Sequence, residues 1–218
     1  MTLAELIRAF RDEIKDTNKP YLVSDEAARR YANQAQIEAA RRARLLVDSN
    51  SDLCRIDYSV GEPVIETDSR IVSLRRVRIE TAARPLRLAK AAEMDEEFCG
   101  WDSSASQSRP FIAVVDYGTD QLRLYPPPAT AGTLCLTVTR EPLNLLVNDE
   151  DTPEIPRRLH DRLIPWMKHR AYGMQDSDLY DAKQAALSLD EFEQEFGPAI
   201  GAINERFEFE NYHGVGER

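Results

Sequence analysis

The chain has 218 residues, of which 42% are hydrophobic and 30% are charged, and its formal net charge is −10. This composition is typical of a globular protein that buries its core as one domain or as two small linked domains. No run of about 18 apolar residues predicts a membrane span, and the first 16 residues form an acid-containing amphipathic pattern rather than a signal peptide. These patterns predict synthesis in a cytoplasm. Three widely spaced cysteines, Cys54, Cys99 and Cys135, predict reduced structural thiols in apolar surroundings.

Charge is unevenly distributed along the chain. Residues 1–90 carry 17 basic and 14 acidic side chains, a net charge of +3, whereas residues 91–218 carry 11 and 24, a net charge of −13. Such a chain lacks the basic surface with which proteins grip nucleic acid through its phosphates. An acidic surface still allows DNA to pass without sticking, although solvated acidic helices are the simpler interpretation.

The N-terminal region has helical periodicity. Apolar residues at helical spacing predict a helix over residues 2–16, which Asn18-Lys-Pro ends. Ser24 is a predicted N-cap for a second helix that runs to about Val47. This helix carries an alanine-rich stripe, which favours close packing against other helices.

In the middle of the chain, apolar and polar residues alternate with a period of two. This pattern predicts strands over residues 53–58, 70–80, 111–117, 121–125 and 133–139, with a short helical turn over residues 91–98. We expect one hairpin across Gly118-Thr-Asp, and another pair of strands flanking the loop from Pro126 to Gly132. The region is therefore predicted to be mostly antiparallel β.

The period changes back to helical at Pro156. Helices are predicted over residues 155–172 and 178–196, with Asp176 or Ser177 as the cap of the second. Pro165 should kink the first helix unless that helix begins nearby. The sequence thus predicts an α+β fold, in which residues 1–50 and 150–197 form a helical bundle and residues 51–149 form an inserted β domain. Residues 198–218 are predicted to be an extended docking tail.

No catalytic, cofactor-binding or metal-binding residue is predicted. His160 and His169 lie nine residues apart, which places them on opposite faces if both belong to one helix, and no nucleotide-binding or α/β-hydrolase motif occurs. Two acidic groups, at residues 93–97 and 149–151, leave open carboxylate-based glycoside hydrolysis or calcium binding beside simple solvation. Pro126-Pro-Pro128 is either a rigid loop tip or a polyproline ligand.

The last residues combine aromatic and acidic side chains beyond the last periodic helix. Aromatic residues spaced along such a segment act as anchors that dock on a partner, whereas a frayed terminus is the simple alternative. We predict four partner-binding residues here: Ile203, Phe207, Phe209 and Tyr212.

Several segments, in a fixed order, carry a resemblance to a known family. They are SDEAARRYANQA from Ser24, LRLYPPP from Leu122, GTL from Gly132, REPL from Arg140, and DTPEIP from Asp151 followed by Leu159 and His160. With this order and spacing, the chain resembles the head-to-tail adaptor proteins of tailed bacteriophages, particularly those of short-tailed phages and their prophages. The resemblance covers nearly the whole chain.

The resemblance implies a structural virion protein that is not an enzyme and needs no cofactor. About twelve copies would form a ring that binds the portal protein and a tail or nozzle protein, and DNA would cross its channel without sequence-specific contacts. The C-terminal tail would dock on the portal, and the protein, made in the host cytoplasm, would end in the virion. Two alternatives remain: a carboxylate-dependent hydrolase of cell-wall glycan, for which Glu96 and Asp151 are candidates, and a host-encoded binding module.

Overall fold

The computed structural model describes residues 1–175 and 178–199. The predicted α+β fold class, with helices towards both ends of the chain, is confirmed. The chain divides into two compact units. The first, here called the helical unit, contains Met1–Leu46 and the described residues from Glu141 onward, and the second, the β unit, contains Val47–Arg140.

The described residues form five α-helices and eight β-strands. The helices are α1 (Leu3–Ile14), α2 (Asp25–Ala43), α3 (Ala91–Glu97), α4 (Ile164–Tyr172) and α5 (Ala182–Phe196). The strands are β1 (Val47–Asp48), β2 (Arg55–Tyr58), β3 (Val64–Glu66), β4 (Ile71–Ile79), β5 (Arg87–Ala89), β6 (Ile112–Gly118), β7 (Gln121–Tyr125) and β8 (Gly132–Arg140).

Capping residues fix the first two helices. Thr2 and Glu5 form a capping box at the start of α1, and the Ser24 hydroxyl accepts a hydrogen bond from Ala27 N at the start of α2, as predicted. The prediction that α2 continues to Val47 is wrong. Arg44 takes a left-handed conformation, with φ of 49°, and ends the helix, so that Val47 can pair with Thr139 as part of β1.

Both C-terminal helices begin later than predicted. Two 3-10 turns, Arg157–Leu159 and Asp161–Leu163, precede α4, and Pro165 occupies its first turn, where a missing N–H is tolerated and no kink follows. Helix α5 begins at Ala182 because the Asp181 carboxylate accepts hydrogen bonds from Lys183 N and Gln184 N. The predicted caps Asp176 and Ser177 lie outside the described residues.

One apolar core joins the helices of the helical unit. It contains Leu3, Leu6 and Phe10 from α1, the alanine stripe of α2, Met167 and Ala171 from α4, and Phe192 and Phe196 from α5. Ala28, Ala32, Ala35, Ala39 and Ala40 are each 0% exposed. Small side chains allow neighbouring elements to approach α2 closely. The more specific arrangement as a bundle stays a prediction.

The β unit consists of two sheets that enclose a second core. In the first sheet β8 pairs with β4 along one edge and with β1 and β2 along the other, all antiparallel. The second sheet has the order β3-β7-β6-β5, and its only parallel pair among the described strands is β5 with β6. Leu134 and Leu136 of the first sheet share a core with Leu122 and Leu124 of the second.

Two expectations about the β region need correction. Strands β7 and β8, which flank the proline loop, belong to different sheets rather than to one pair, because each directs its leucines into the core that the two sheets share. Residues 141–149 belong to the helical unit rather than to the β domain. The Asn33 side chain on α2 holds this segment by accepting from Leu146 N at 2.7 Å and donating to Leu146 O at 2.9 Å.

Candidate functional site

The four predicted docking residues, Ile203, Phe207, Phe209 and Tyr212, lie outside the described residues. The structure does show how the chain before them is anchored. The rings of Phe192 and Phe196 on α5 are 4.7 Å apart and both side chains are buried, and Arg42 on α2 donates to Gly197 O at 3.4 Å. The next two residues, Pro198 and Ala199, are exposed.

The acidic joint at residues 149–151 serves the backbone. The Asp151 carboxylate accepts hydrogen bonds from Val147 N at 2.8 Å and Asn148 N at 2.7 Å, and the carbonyls of Asp151 and Asp149 accept from Leu3 N and Ala4 N at the start of α1. The backbone hydrogen bonds from Asn148 and Val147 lower the pKa of Asp151. A general acid for glycoside hydrolysis needs a raised pKa, so Asp151 is poorly suited to that role.

The acidic residues around α3 also make structural contacts. Glu97 forms an ion pair with Arg87, whose hydrogen bond lowers the pKa of Glu97, and the Asp95 carboxylate accepts from Trp101 Nε1 at 2.8 Å. Glu96 is exposed. Two of the acidic side chains in this region, Asp95 and Glu97, therefore serve the local fold through their contacts with Trp101 and Arg87.

The two C-terminal histidines do not share a helix, contrary to prediction, because α4 begins only at Ile164. His160 is buried, with Nε2 3.0 Å from Ile155 O and Nδ1 2.9 Å from the amino nitrogen of Met1. His169 Nδ1 lies 2.9 Å from Ala185 O. Within residues 1–175 and 178–199, no group of three or more His, Cys, Asp or Glu side chains could hold a metal ion.

The proline loop is fixed by its neighbours. Pro127 O accepts a hydrogen bond from Ser108 N at 2.9 Å, and Pro128 O accepts one from Gly61 N at 2.8 Å. Both prolines are buried. These contacts favour the rigid loop tip over a polyproline ligand, which would present its carbonyls to a partner.

The three cysteines are free, but their surroundings differ. Cys54 is buried, and burial raises the pKa of its thiol. Cys135 is partly buried on β8, whereas Cys99 is exposed, so the prediction of an apolar setting is wrong for Cys99. It follows α3 in a loop, where the helical period has already ended.

A cleft that the sequence did not predict lies within the helical unit. Its volume is about 420 Å³, and its lining comes from α1, the loop before α2, the first turns of α2 and the acidic joint. The lining residues include Ile7, Arg8, Arg11, Asp12, Tyr21, Asp25, Arg29 and Asp149. No linear motif marks this cleft, because its charged residues come from three separate segments. The spacing of Asp25 and Arg29 alone would have indicated an ordinary helix-surface ion pair.

Arg11 forms the fixed floor of the cleft. Its side chain is 7% exposed and bonds Asp16 at 2.9 Å and Asp25 at 2.7 Å, and its guanidinium carbon lies 3.6 Å from the centre of the Tyr21 ring. Asp16 also accepts from Leu22 N and Val23 N. These contacts tie α1 to the loop before α2, so the cleft is built on a rigid network.

None of the described helices is both long enough and apolar enough to span a membrane. A search of curated proteins found no match to the chain. The sequence profile of the SU10 adaptor protein family matches residues 1–212, which is nearly the whole chain and includes both units described above. The chain therefore belongs to the SU10 adaptor protein family, a family of structural bacteriophage adaptor proteins.

Proposed function

We propose that this protein is a head-to-tail adaptor that joins the portal to the tail of a bacteriophage and does no chemistry of its own. The observation that carries the proposal is the family match over residues 1–212. In the proposed assembly, about twelve copies form a ring around the channel through which DNA leaves the head. A closed ring requires heterologous contacts, in which each copy presents two different surfaces, one to each neighbouring copy.

The charge of the chain supports passage of DNA rather than capture. With a formal net charge of −10, a ring of many copies presents an overall negative field to the phosphate backbone. Tight binding to phosphates would hold the DNA in place, and its affinity would depend steeply on salt. The absence of a basic excess is consistent with a channel that DNA crosses without sequence-specific contacts.

We assign portal docking to the C-terminal tail, residues 198–218. Ile203, Phe207, Phe209 and Tyr212 are its anchors, since burial of each large side chain contributes roughly 1.5–3 kcal/mol. Glu205, Glu208 and Glu210 alternate with the two phenylalanines and would meet basic groups of the portal. The anchoring of Gly197 by Arg42 supports this assignment, because it holds the start of the tail on the helical unit.

Deletion of residues 198–218 tests the proposal. Pro198 and Ala199, the described residues within this stretch, are exposed, so we expect the melting temperature to remain nearly unchanged while binding to the purified portal protein is lost. The double variant Phe207→Ala/Phe209→Ala should reproduce the loss of binding. As a matched control, Glu217→Gln changes a charge near the end of the chain but no proposed anchor, and it should bind normally.

Two results would refute tail docking. One is a truncated protein that unfolds, because the tail would then belong to the core. The other is a truncated protein that binds the portal as tightly as the full chain. If neither form of the protein binds any portal, the proposed adaptor role fails as a whole rather than the tail assignment alone.

A further inference from the structure

The cleft in the helical unit contains two arginines whose charges have no partner among the described residues. Arg8 lies on α1 and Arg29 lies on α2, and both line the cleft. Arg29 Nε is buried and makes no hydrogen bond. A buried donor without an acceptor is costly, and native proteins rarely retain one without a reason.

The environment of Arg29 explains why it lacks its usual partner. Asp25 precedes Arg29 by four residues on α2, the spacing and order that favour an ion pair on a helix. Asp25 Oδ1 instead accepts from Arg11 Nη2 at 2.7 Å. Arg11 in turn is held by Asp16 and by the Tyr21 ring, so the network on the cleft floor directs Asp25 towards Arg11 and leaves Arg29 unpaired.

We infer that this cleft binds a carboxylate side chain from an acidic peptide segment of a partner protein, with Arg29 and Arg8 as its ligands. A guanidinium group matches a carboxylate in a paired, planar geometry. The apolar atoms of Ala4, Ile7 and Tyr21 also line the cleft, and they suit an apolar side chain beside the carboxylate. The volume of about 420 Å³ accommodates one or two side chains.

The same lining argues against a phosphate backbone as the occupant. Asp12, Asp25 and Asp149 also line the cleft, and three carboxylates repel a nucleic acid, which presents a continuous row of phosphates. A single carboxylate on a peptide brings one charge to the two unpaired arginines and no row of further charges. The inference concerns a surface on α1 and α2, and it does not depend on docking of the C-terminal tail.

Nuclear magnetic resonance of the full-length protein labelled with ¹⁵N provides a direct test, because the Nε–H resonance of Arg29 reports on the unpaired donor. The probe is the blocked tripeptide acetyl-Leu-Glu-Leu-amide, with acetyl-Leu-Gln-Leu-amide as its uncharged counterpart. We expect the Glu peptide to shift the Arg29 resonance until the site is saturated. The Gln peptide should bind at least about tenfold more weakly, since it loses a charge-assisted hydrogen bond.

Variants locate the binding site. For the variants, the backbone amide resonance of Ile7, which also lines the cleft, reports binding. Arg29→Gln should weaken binding of the Glu peptide about tenfold or more, whereas Arg30→Gln, at the exposed next position on α2, should leave it unchanged. Arg8→Gln, on the other wall of the cleft, gives a second test if Arg29→Gln fails to fold. Inorganic phosphate is the competing probe.

Four outcomes would overturn the inference. The Arg29 resonance could remain still at every peptide concentration, or both peptides could shift it equally, which would show that charge is not recognised. Phosphate could also bind as tightly as the Glu peptide, which would indicate a general anion site rather than a peptide site. Normal binding by Arg8→Gln together with normal binding by Arg29→Gln would equally remove both residues from the role assigned here.

Discussion

The helical unit and the β unit use charged side chains in different ways. In the helical unit, Arg42 on α2 is 6% exposed and pairs with Glu38 at 3.0 Å and with Glu193 on α5 at 3.3 Å. In the β unit, by contrast, the pairs Arg55–Glu80 and Arg87–Glu97 lie between side chains that are each about half exposed. The ion pairs of Arg42 therefore connect separate helices in the helical unit, whereas these two pairs of the β unit lie on its surface.

The cores of the two units explain this difference. The β unit encloses leucine, isoleucine and valine side chains between two sheets, and each such buried side chain contributes roughly 1.5–3 kcal/mol. The alanine stripe of α2 supplies much less apolar area per residue. In the helical unit, long side chains add to the apolar area that is buried. The guanidinium carbon of Arg42 lies 5.2 Å from the centre of the Trp166 ring and 5.4 Å from the centre of the Phe192 ring.

The largest loss of stability should follow from removal of the Arg42 side chain. We expect Arg42→Ala to lower the free energy of unfolding by about 3 kcal/mol, because it breaks a nearly buried ion pair and uncovers two rings. The chain has two tryptophans, one in each unit, so fluorescence of Trp166 in a Trp101→Phe background reports on the helical unit during urea unfolding.

Two further variants show how much of this loss comes from the charge and how much depends on burial of the side chain. Arg42→Met keeps the aliphatic volume and should lose less stability than Arg42→Ala. Arg30→Ala, at an exposed position on the same helix, should change the free energy of unfolding by less than about 0.5 kcal/mol. Equal effects of the changes at Arg42 and Arg30 would mean that the charges of the helical unit are as peripheral as those of the β unit.

Asp48 is the exception within the β unit, and it gives the next largest effect. Its carboxylate accepts from Arg140 Nε at 2.6 Å, from Asn50 N at 2.9 Å and from Ser51 Oγ at 2.8 Å, and the Asp48 and Arg140 side chains are only 11% and 13% exposed. We expect Asp48→Asn to cost about 2–3 kcal/mol. Trp101 fluorescence in a Trp166→Phe background measures this loss.

The pH dependence of Asp48 provides an independent check. Burial by itself would raise the pKa of Asp48, but the hydrogen bonds from Asn50, Arg140 and Ser51 outweigh it and hold the pKa well below its ordinary value. A lowered folded-state pKa stabilises the protein above the unfolded pKa of about 3.9, and this contribution is lost as the pH falls through the folded value. The difference in free energy of unfolding between the wild type and Asp48→Asn should stay constant from about pH 8 to about pH 5 and become smaller in stronger acid.

Local signals in the sequence were sufficient for much of the fold. The apolar stripe of α1 and the cap at Ser24 give both N-terminal helix starts correctly, and the alternation over residues 71–79 gives β4. These signals are local because a capping side chain or a buried face involves residues only a few positions apart. The family resemblance, carried by the order of several short segments, is confirmed by the match over residues 1–212.

Features set by distant residues could not be read in this way. Strands β7 and β8 flank a short loop, yet they lie in different sheets because each meets a partner far along the chain. The unpaired state of Arg29 depends on Arg11, which competes for Asp25 from another helix. Neither the sheet assignment nor the cleft has a local pattern, since both arise only when separate segments come together.

The smallest effect should come from an exposed pair of the β unit. Arg55 and Glu80 are 54% and 47% exposed, and Arg55 lies at the surface end of a short strand, β2, whose pairing with β8 depends on backbone contacts. Water and salt screen the charges of exposed pairs, so Arg55→Ala should shift the urea midpoint of the β unit, followed by Trp101 fluorescence, only slightly. The shift should shrink further at 1 M salt, whereas the loss caused by Arg42→Ala should persist, since burial limits screening of that pair. A loss at Arg55 as large as the loss at Arg42 would show that the β unit depends on surface charge as much as the helical unit does, and the contrast between the two units would then be wrong.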